Sequence, residues 1–188
     1  MRNRSTRTRI TAATMGALAA ASVALSATPA AANTGDGYVR GYDAYEGDWG
    51  DEGVLKFGGD YDHSNATCLW QKVLWAEGAT EIDGTTFDEE DIDGIFGRNT
   101  ELATSSMQGH GRWDLEYVDG IVGSTTFGRA DNQLEVTGGS EDRYRTLYLT
   151  YDGALYDFSV IRSTEGKYMF KDRNDIWRTA GYNTWTCS

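Results

Sequence analysis

The chain has 188 residues, with 29 acidic side chains against 17 Lys and Arg, a formal charge of −12 at pH 7. Residues 1–32 hold four Arg and no acid, so residues 33–188 carry −16. Phosphate backbones and anionic lipid are held mainly through Lys and Arg, so this balance argues against nucleic acid and an anionic membrane surface as partners; stable membrane insertion is not expected, because no apolar segment of spanning length follows residue 32.

Arg2, Arg4, Arg7 and Arg9 precede an apolar run of mostly Ala, Leu and Val from Ile10 to Ala27, then Pro29 and Ala30-Ala31-Ala32. A charged start, a short apolar centre and small residues at the cut read as a secretory signal peptide over 1–32. Thr11, Thr14, Gly16, Ser22 and Ser26 interrupt the run, which argues against a membrane anchor. The expected location is secreted, extracellular or cell-wall associated. In an oxidising compartment the two cysteines, Cys68 and Cys187, are expected to form one disulfide.

Residues 33–63 are rich in Gly, Asp and Tyr. Tyr38, Tyr42, Tyr45 and Trp49 recur every three or four residues, but eight Gly between 35 and 59 oppose a helix. This segment reads as a flexible or loosely docked arm with one short strand, Val54-Leu55-Lys56-Phe57. A first helix should open at Ser64 or Asn65, bury Ala66, Trp70, Val73 and Leu74, and stop at Gly78. Asn65-Ala66-Thr67 also matches a glycosylation acceptor. The acids from Glu81 to Asp93 suggest calcium, yet setting Gly94 at the sixth loop position leaves Thr100 where a bidentate Glu belongs. A solvated acidic loop is the expectation.

Next comes an internal repeat. Asp93-Gly94-Ile95-Phe96-Gly97-Arg98-Asn99-Thr100 returns as Asp119-Gly120-Ile121-Val122-Gly123-Ser124-Thr125-Thr126. In each copy Asp can bond nearby backbone N–H groups, the first Gly can take positive φ, and the second can cap a helix. Helical stripes follow: Phe96, Thr100, Ala103 and Met107 after the first copy, Phe127, Ala130 and Leu134 after the second.

Together with Trp70-Gln71-Lys72-Val73-Leu74 and Gly78, this pair of turns resembles the small three-helix peptidoglycan-binding domain of bacterial cell-wall proteins. In that family a Leu-Gln-x-x-Leu-x-x-x-Gly helix precedes two Asp-Gly-x-[Phe/Val]-Gly-x-x-Thr turns. Trp70 stands for the first Leu, and Gln71, Leu74 and Gly78 fall in register; Met107-Gln108 and Thr126-Phe127 match the family's Phe-Gln and Thr-Trp. The resemblance covers about residues 64–134. It implies a groove near the turns and helix starts, with Arg98, Asn99, Trp113, Tyr117, Asp119 and Ser124 as exposed ligand contacts and peptidoglycan as partner. Core packing is the expected job of Leu74, Trp70, Phe96, Val122 and Phe127.

After Leu134 the pattern alternates. Tyr144–Tyr151, Ala154–Arg162, Lys167–Phe170 and a run from Ile176 predict three or four antiparallel strands, with Asp152-Gly153 as a two-residue hairpin turn. The fold class is therefore α+β: an arm (33–63), a three-helix peptidoglycan-binding-like bundle (64–136) and a small antiparallel β-meander (137–188).

Enzymatic alternatives are thinly supplied. Two His make a zinc site improbable, and 29 acids neither exclude nor identify a muramidase pair. Cys68 near a helix start with His110 downstream could form a peptidase pair, but only as a free thiol. No catalytic residue, metal or cofactor is assigned. The expected function is non-catalytic peptidoglycan binding; the alternatives are a wall hydrolase with its site elsewhere, or a secreted protein partner or inhibitor.

Overall fold

The computed structural model describes residues 34–110, 112–113 and 115–187. The expected leader, 1–32, lies outside the described residues. Helix α1, Asn65–Glu77, opens at Ser64, whose extended backbone lets its hydroxyl accept from the Thr67 N–H at 3.0 Å. It closes at Gly78, φ 66°, where the Gly78 and Ala79 N–H groups bond the Trp75 and Leu74 carbonyls. Nearly every side chain from Asn65 to Leu74 is buried, so α1 is a central helix rather than an amphipathic cover. The Asn65 amide is buried too: it donates to Thr179 O at 3.1 Å and accepts from Thr186 N at 2.8 Å. That leaves no room for a glycan at the acceptor motif.

Helices α2, Arg98–Gln108, and α3, Ser124–Asp131, start after Gly97 and Gly123. The α3 stripe ends early, because Leu134 opens strand β1, Leu134–Gly139, while remaining buried. Strands β2 (Leu147–Tyr151), β3 (Phe158–Arg162), β4 (Tyr168–Lys171) and β5 (Trp177–Thr179) follow in an antiparallel sheet of order β1-β2-β3-β4-β5. Mixed α+β architecture is thus observed, with one strand more than expected. The β2–β3 link is also longer than Asp152-Gly153, spanning 152–157. Gly153 is packed against the Ala76 carbonyl, and Ala76 O accepts from the Leu155 and Tyr156 N–H groups, so the link docks on α1 instead of closing tightly.

One face of the sheet carries Leu147, Leu149, Tyr151, Phe158, Val160, Tyr168 and Phe170 into the core. The loosely docked arm is corrected here. Val39, Trp49 and Leu55 are 0% exposed. Trp49 meets Phe127 of α3 at 6.3 Å, Tyr151 of β2 at 6.5 Å and Tyr168 of β4 at 5.5 Å between ring centroids, filling the seam between helices and sheet. Asp131 places it by accepting from the Gly47 N–H at 2.5 Å and the Trp49 N–H at 3.2 Å. The expected short strand is reduced to a bridge, Leu55 exchanging backbone bonds with Val122. One buried cluster thus draws on all three segments, 33–63, 64–136 and 137–188. Cys68 and Cys187 are disulfide-bonded, tying the C-terminal strand region to α1.

Candidate functional site

Each Asp-Gly turn is built around a glutamine from the preceding helix. Gln71 Oε1 accepts from the Asp93 and Gly94 N–H groups at 3.1 and 2.7 Å. Its Nε2 reaches Asp93 Oδ1 at 2.8 Å, Ile95 O at 3.1 Å and Thr100 Oγ1 at 3.2 Å. Gln108 repeats this bond for bond: Oε1 with Asp119 N at 3.1 Å and Gly120 N at 2.9 Å, Nε2 with Asp119 Oδ1 at 3.2 Å, Ile121 O at 2.9 Å and Thr126 Oγ1 at 3.1 Å. In both copies the Asp Oδ1 also accepts from the Ile two residues on, and the Thr hydroxyl donates to that Ile carbonyl. Gly94 and Gly120 take φ of 76° and 71°, as the repeat implied. Both glutamines are buried, so each turn is locked by a fully satisfied amide.

The repeat reaches into the helices. A Cβ on Gly120 would lie 2.8 Å from Glu101 O and near Ser105; on Gly94 it would lie 3.0 Å from Ser64 O and near the Cys187 sulfur. Ser64 and Cys68 precede Gln71 by the same steps as Glu101 and Ser105 precede Gln108. The disulfide therefore takes the place of a serine hydroxyl.

At the second copy the helix start lines an open cleft of about 370 Å³, formed by Gln108, Leu115, Glu116, Tyr117, Asp119, Ile121 and Gly123–Thr126. No side chain caps α3, as none caps α2, but at α3 the first-turn residues Ser124–Thr126 line an open cleft, and their backbone N–H groups are donors with no protein side chain on them. Tyr117 is 74% exposed and Thr125 is exposed beside it.

Of the six expected contacts, the structure brings Tyr117, Asp119 and Ser124 together here. The Asp119 Oδ1 is committed to the turn through Gln108 and Ile121. Arg98 and Asn99 sit at the other copy: Arg98 is paired with Glu101, and Asn99 bonds Glu81, Ile82 and Asp91. Trp113 as an exposed contact is corrected. It is 3% exposed and packs edge-on against Trp70 at 6.1 Å, and beyond it the Leu115 N–H returns to the Gln108 carbonyl at the end of α2 at 2.8 Å. Gln108 and Thr125 were missed as site residues. The Gln–Asp–Thr framework could have exposed Gln108, except that Asp follows Gln71 by 22 residues and Gln108 by 11.

A larger cleft, about 490 Å³, lies where α1 and α2 end, lined by Glu77, Met107, His110, Arg112, Trp113 and Ala154 among others. Its polar groups are spent on one another. Arg112 pairs with Glu77 and donates to Asp152 O at 2.6 Å, Tyr151 OH donates to Glu77 at 2.8 Å, and the His110 Nδ1 lies 2.8 Å from Ser106 O. The smaller cleft is the better ligand site because its helix-start donors are not so engaged. A thiolate pair of Cys68 with His110 is ruled out by the disulfide. Among the described residues no group of three or more His, Cys, Asp or Glu could hold a metal, and no helix is long and apolar enough to cross a membrane. No family model, no curated protein and no solved structure matches this chain.

Proposed function

We propose that this chain is an exported, non-catalytic peptidoglycan-binding protein whose ligand lies in the cleft at the start of α3. One observation carries the reading: the Gln–Asp–Gly–Thr framework, built twice, holds an uncapped helix start rigidly open beside an exposed tyrosine. A rigid frame with a few fixed donors and one aromatic face suits a ligand of sugars and short peptides. The resemblance of residues 64–134 to three-helix peptidoglycan-binding domains supports the same ligand.

The test mixes full-length protein without its leader with insoluble peptidoglycan, measures depletion from the supernatant and follows turbidity. Depletion without clearing is expected; clearing would mean a hydrolase, and no depletion would reject the reading. Tyr117→Ala should weaken binding about tenfold, roughly 1.4 kcal/mol, with an unchanged melting temperature because the ring is exposed.

A further inference from the structure

A third cleft, about 380 Å³, opens between segment 41–51 and the β1–β2 loop. Asp36, Asp43, Glu46, Asp48 and Asp51 line it, against two cations, Arg40 and Arg143. Its frame is fixed by one buried guanidinium. Arg162, 2% exposed, pairs with Asp48 Oδ2 at 2.7 Å and donates to the Asp43 and Glu141 carbonyls at 2.6 and 2.8 Å, so it holds both loops that form the walls. On either side of Asp48, the Gly47 and Trp49 N–H groups are pinned to Asp131. The cleft is therefore preformed.

Within that frame the Asp48 carboxylate is left half satisfied. Its side chain is 9% exposed, and Oδ2 accepts from both Arg162 and Tyr168 OH, each at 2.7 Å. Oδ1 has no donor among the described residues. It is not enclosed either: the buried side-chain polar atoms without a partner there are the indole nitrogens of Trp49 and Trp113. Oδ1 is thus an acceptor open to the cleft that Asp48 lines. Burial outweighs the donors on Oδ2 and raises the Asp48 carboxyl above its ordinary value, so a further positive charge would be stabilised here.

The walls do not supply that charge. Arg40 donates to Tyr42 OH and the Glu165 carbonyl, and Arg143 lies 4.3 Å over the Tyr42 ring with no ion pair among the described residues. Of the lining acids, only Asp36 and Asp48 are in ion pairs among those residues. A metal ion is a poor match, since no group of three or more His, Cys, Asp or Glu is arranged to hold one there. An ammonium fits better, because it needs one open acceptor and a negative surround rather than a full ligand set. The unpaired Arg143 then offers a partner to a carboxylate on the same molecule.

We propose that this cleft is a second binding site, for an amino-acid unit that carries both a primary ammonium and a carboxylate, such as a diamino acid at the end of a peptide. The ammonium takes Asp48 Oδ1 and the carboxylate takes Arg143. The site shares no residue with the α3 cleft. Alone it is weak, with a dissociation constant on the order of 1–10 mM, and it adds to the α3 cleft rather than replacing it.

The test follows backbone amide shifts of the full chain without its leader. The probes are Nα-acetyl-lysine, Nα,Nζ-diacetyl-lysine, which lacks the ammonium, and calcium chloride. Saturable shifts at Gly41–Asp48 and Arg143 with the first probe alone are expected, and Asp48→Asn should abolish them. Asp48 also neutralises the buried Arg162, so a second variant, Asp43→Asn with Glu46→Gln, alters two exposed carboxylates that form no ion pair among the described residues. Asn keeps the positive φ of 62° at position 43 accessible. This variant should keep its melting temperature and bind the probe about threefold more weakly. No saturable shift at those residues, equal shifts from the diacetylated probe, binding retained by a folded Asp48→Asn protein, or undiminished affinity in the second variant overturns the ammonium site. Shifts from calcium alone overturn it in favour of a metal site.

Discussion

Gln71 and Gln108 each accept from two backbone N–H groups and donate to a threonine hydroxyl oxygen whose own proton goes to the Ile carbonyl of the turn. Replacing either by Ala would leave those buried donors unpaired, at about 2–3 kcal/mol. The two differ in consequence. Gln71 sits beside the disulfide and beneath the C-terminal residues, where Trp185 donates to Asp93 O at 2.8 Å. Gln108 supports only the open cleft. Gln108→Ala should therefore lower the melting temperature and weaken peptidoglycan binding together, whereas Gln71→Ala should lower the melting temperature with binding retained. Equal loss of binding in both would contradict the assignment. Gly94 and Gly120 were readable from sequence because positive φ is a local requirement that Asp-Gly announces. Trp113 and Trp49 were not, since their fate depends on Trp70, Phe127, Tyr151 and Tyr168, rings far away in the chain.

At the scale of elements, segment 34–63 shows how a Gly-rich stretch whose aromatic spacing forms no α-helix can still be fixed. Its backbone borrows partners: Val39 bonds Ala180 and Tyr168, and Leu55 bonds Val122. Glu52 completes the attachment, accepting from Arg40 N at 2.7 Å and Tyr182 OH at 2.6 Å while almost wholly buried. Burial outweighs those two donors and pushes the Glu52 carboxyl up to about 8 from an ordinary value of 4.5. The folded state thus binds this proton more tightly than the unfolded chain. Its stabilising effect is complete below pH 4.5 and is lost as pH rises towards 8, a change on the order of 4 kcal/mol. Asp131, raised to about 6 mainly by burial, acts in the same direction. The melting temperature should fall between pH 5 and pH 8.5, and Glu52→Gln should flatten that fall; an unchanged slope in the variant would reject Glu52 as its source. Strand β1 escaped sequence reading for a related reason. Leu134 and Val136 alternate with Glu135 and Thr137 for only four residues before Gly138-Gly139, and only Leu134 is buried, so the strand exists through pairing with β2.

For the whole molecule, the sequence divides into three stretches of different texture, but the buried cluster crosses both boundaries. A fragment covering residues 64–136 would expose α1 on its sheet side and leave Phe127 without Trp49. It should show no cooperative unfolding, while residues 34–188 should unfold in one transition; a cooperatively folded fragment would contradict the shared core. The periodic parts, three helices and the alternating strands, were legible because their burial pattern is written locally. The seam was not, because it is assembled from residues whose partners lie in other elements. The proposed binding role depends on an uncapped helix start that lines an open cleft, that of α3. The most direct measurement is a backbone amide titration of the full chain with a soluble disaccharide–peptide fragment of peptidoglycan. Shifts should concentrate at Leu115–Tyr117 and Ile121–Thr126 and leave Ile95–Thr100 unmoved; shifts confined to the sheet or the larger cleft, or none at all, would contradict the account.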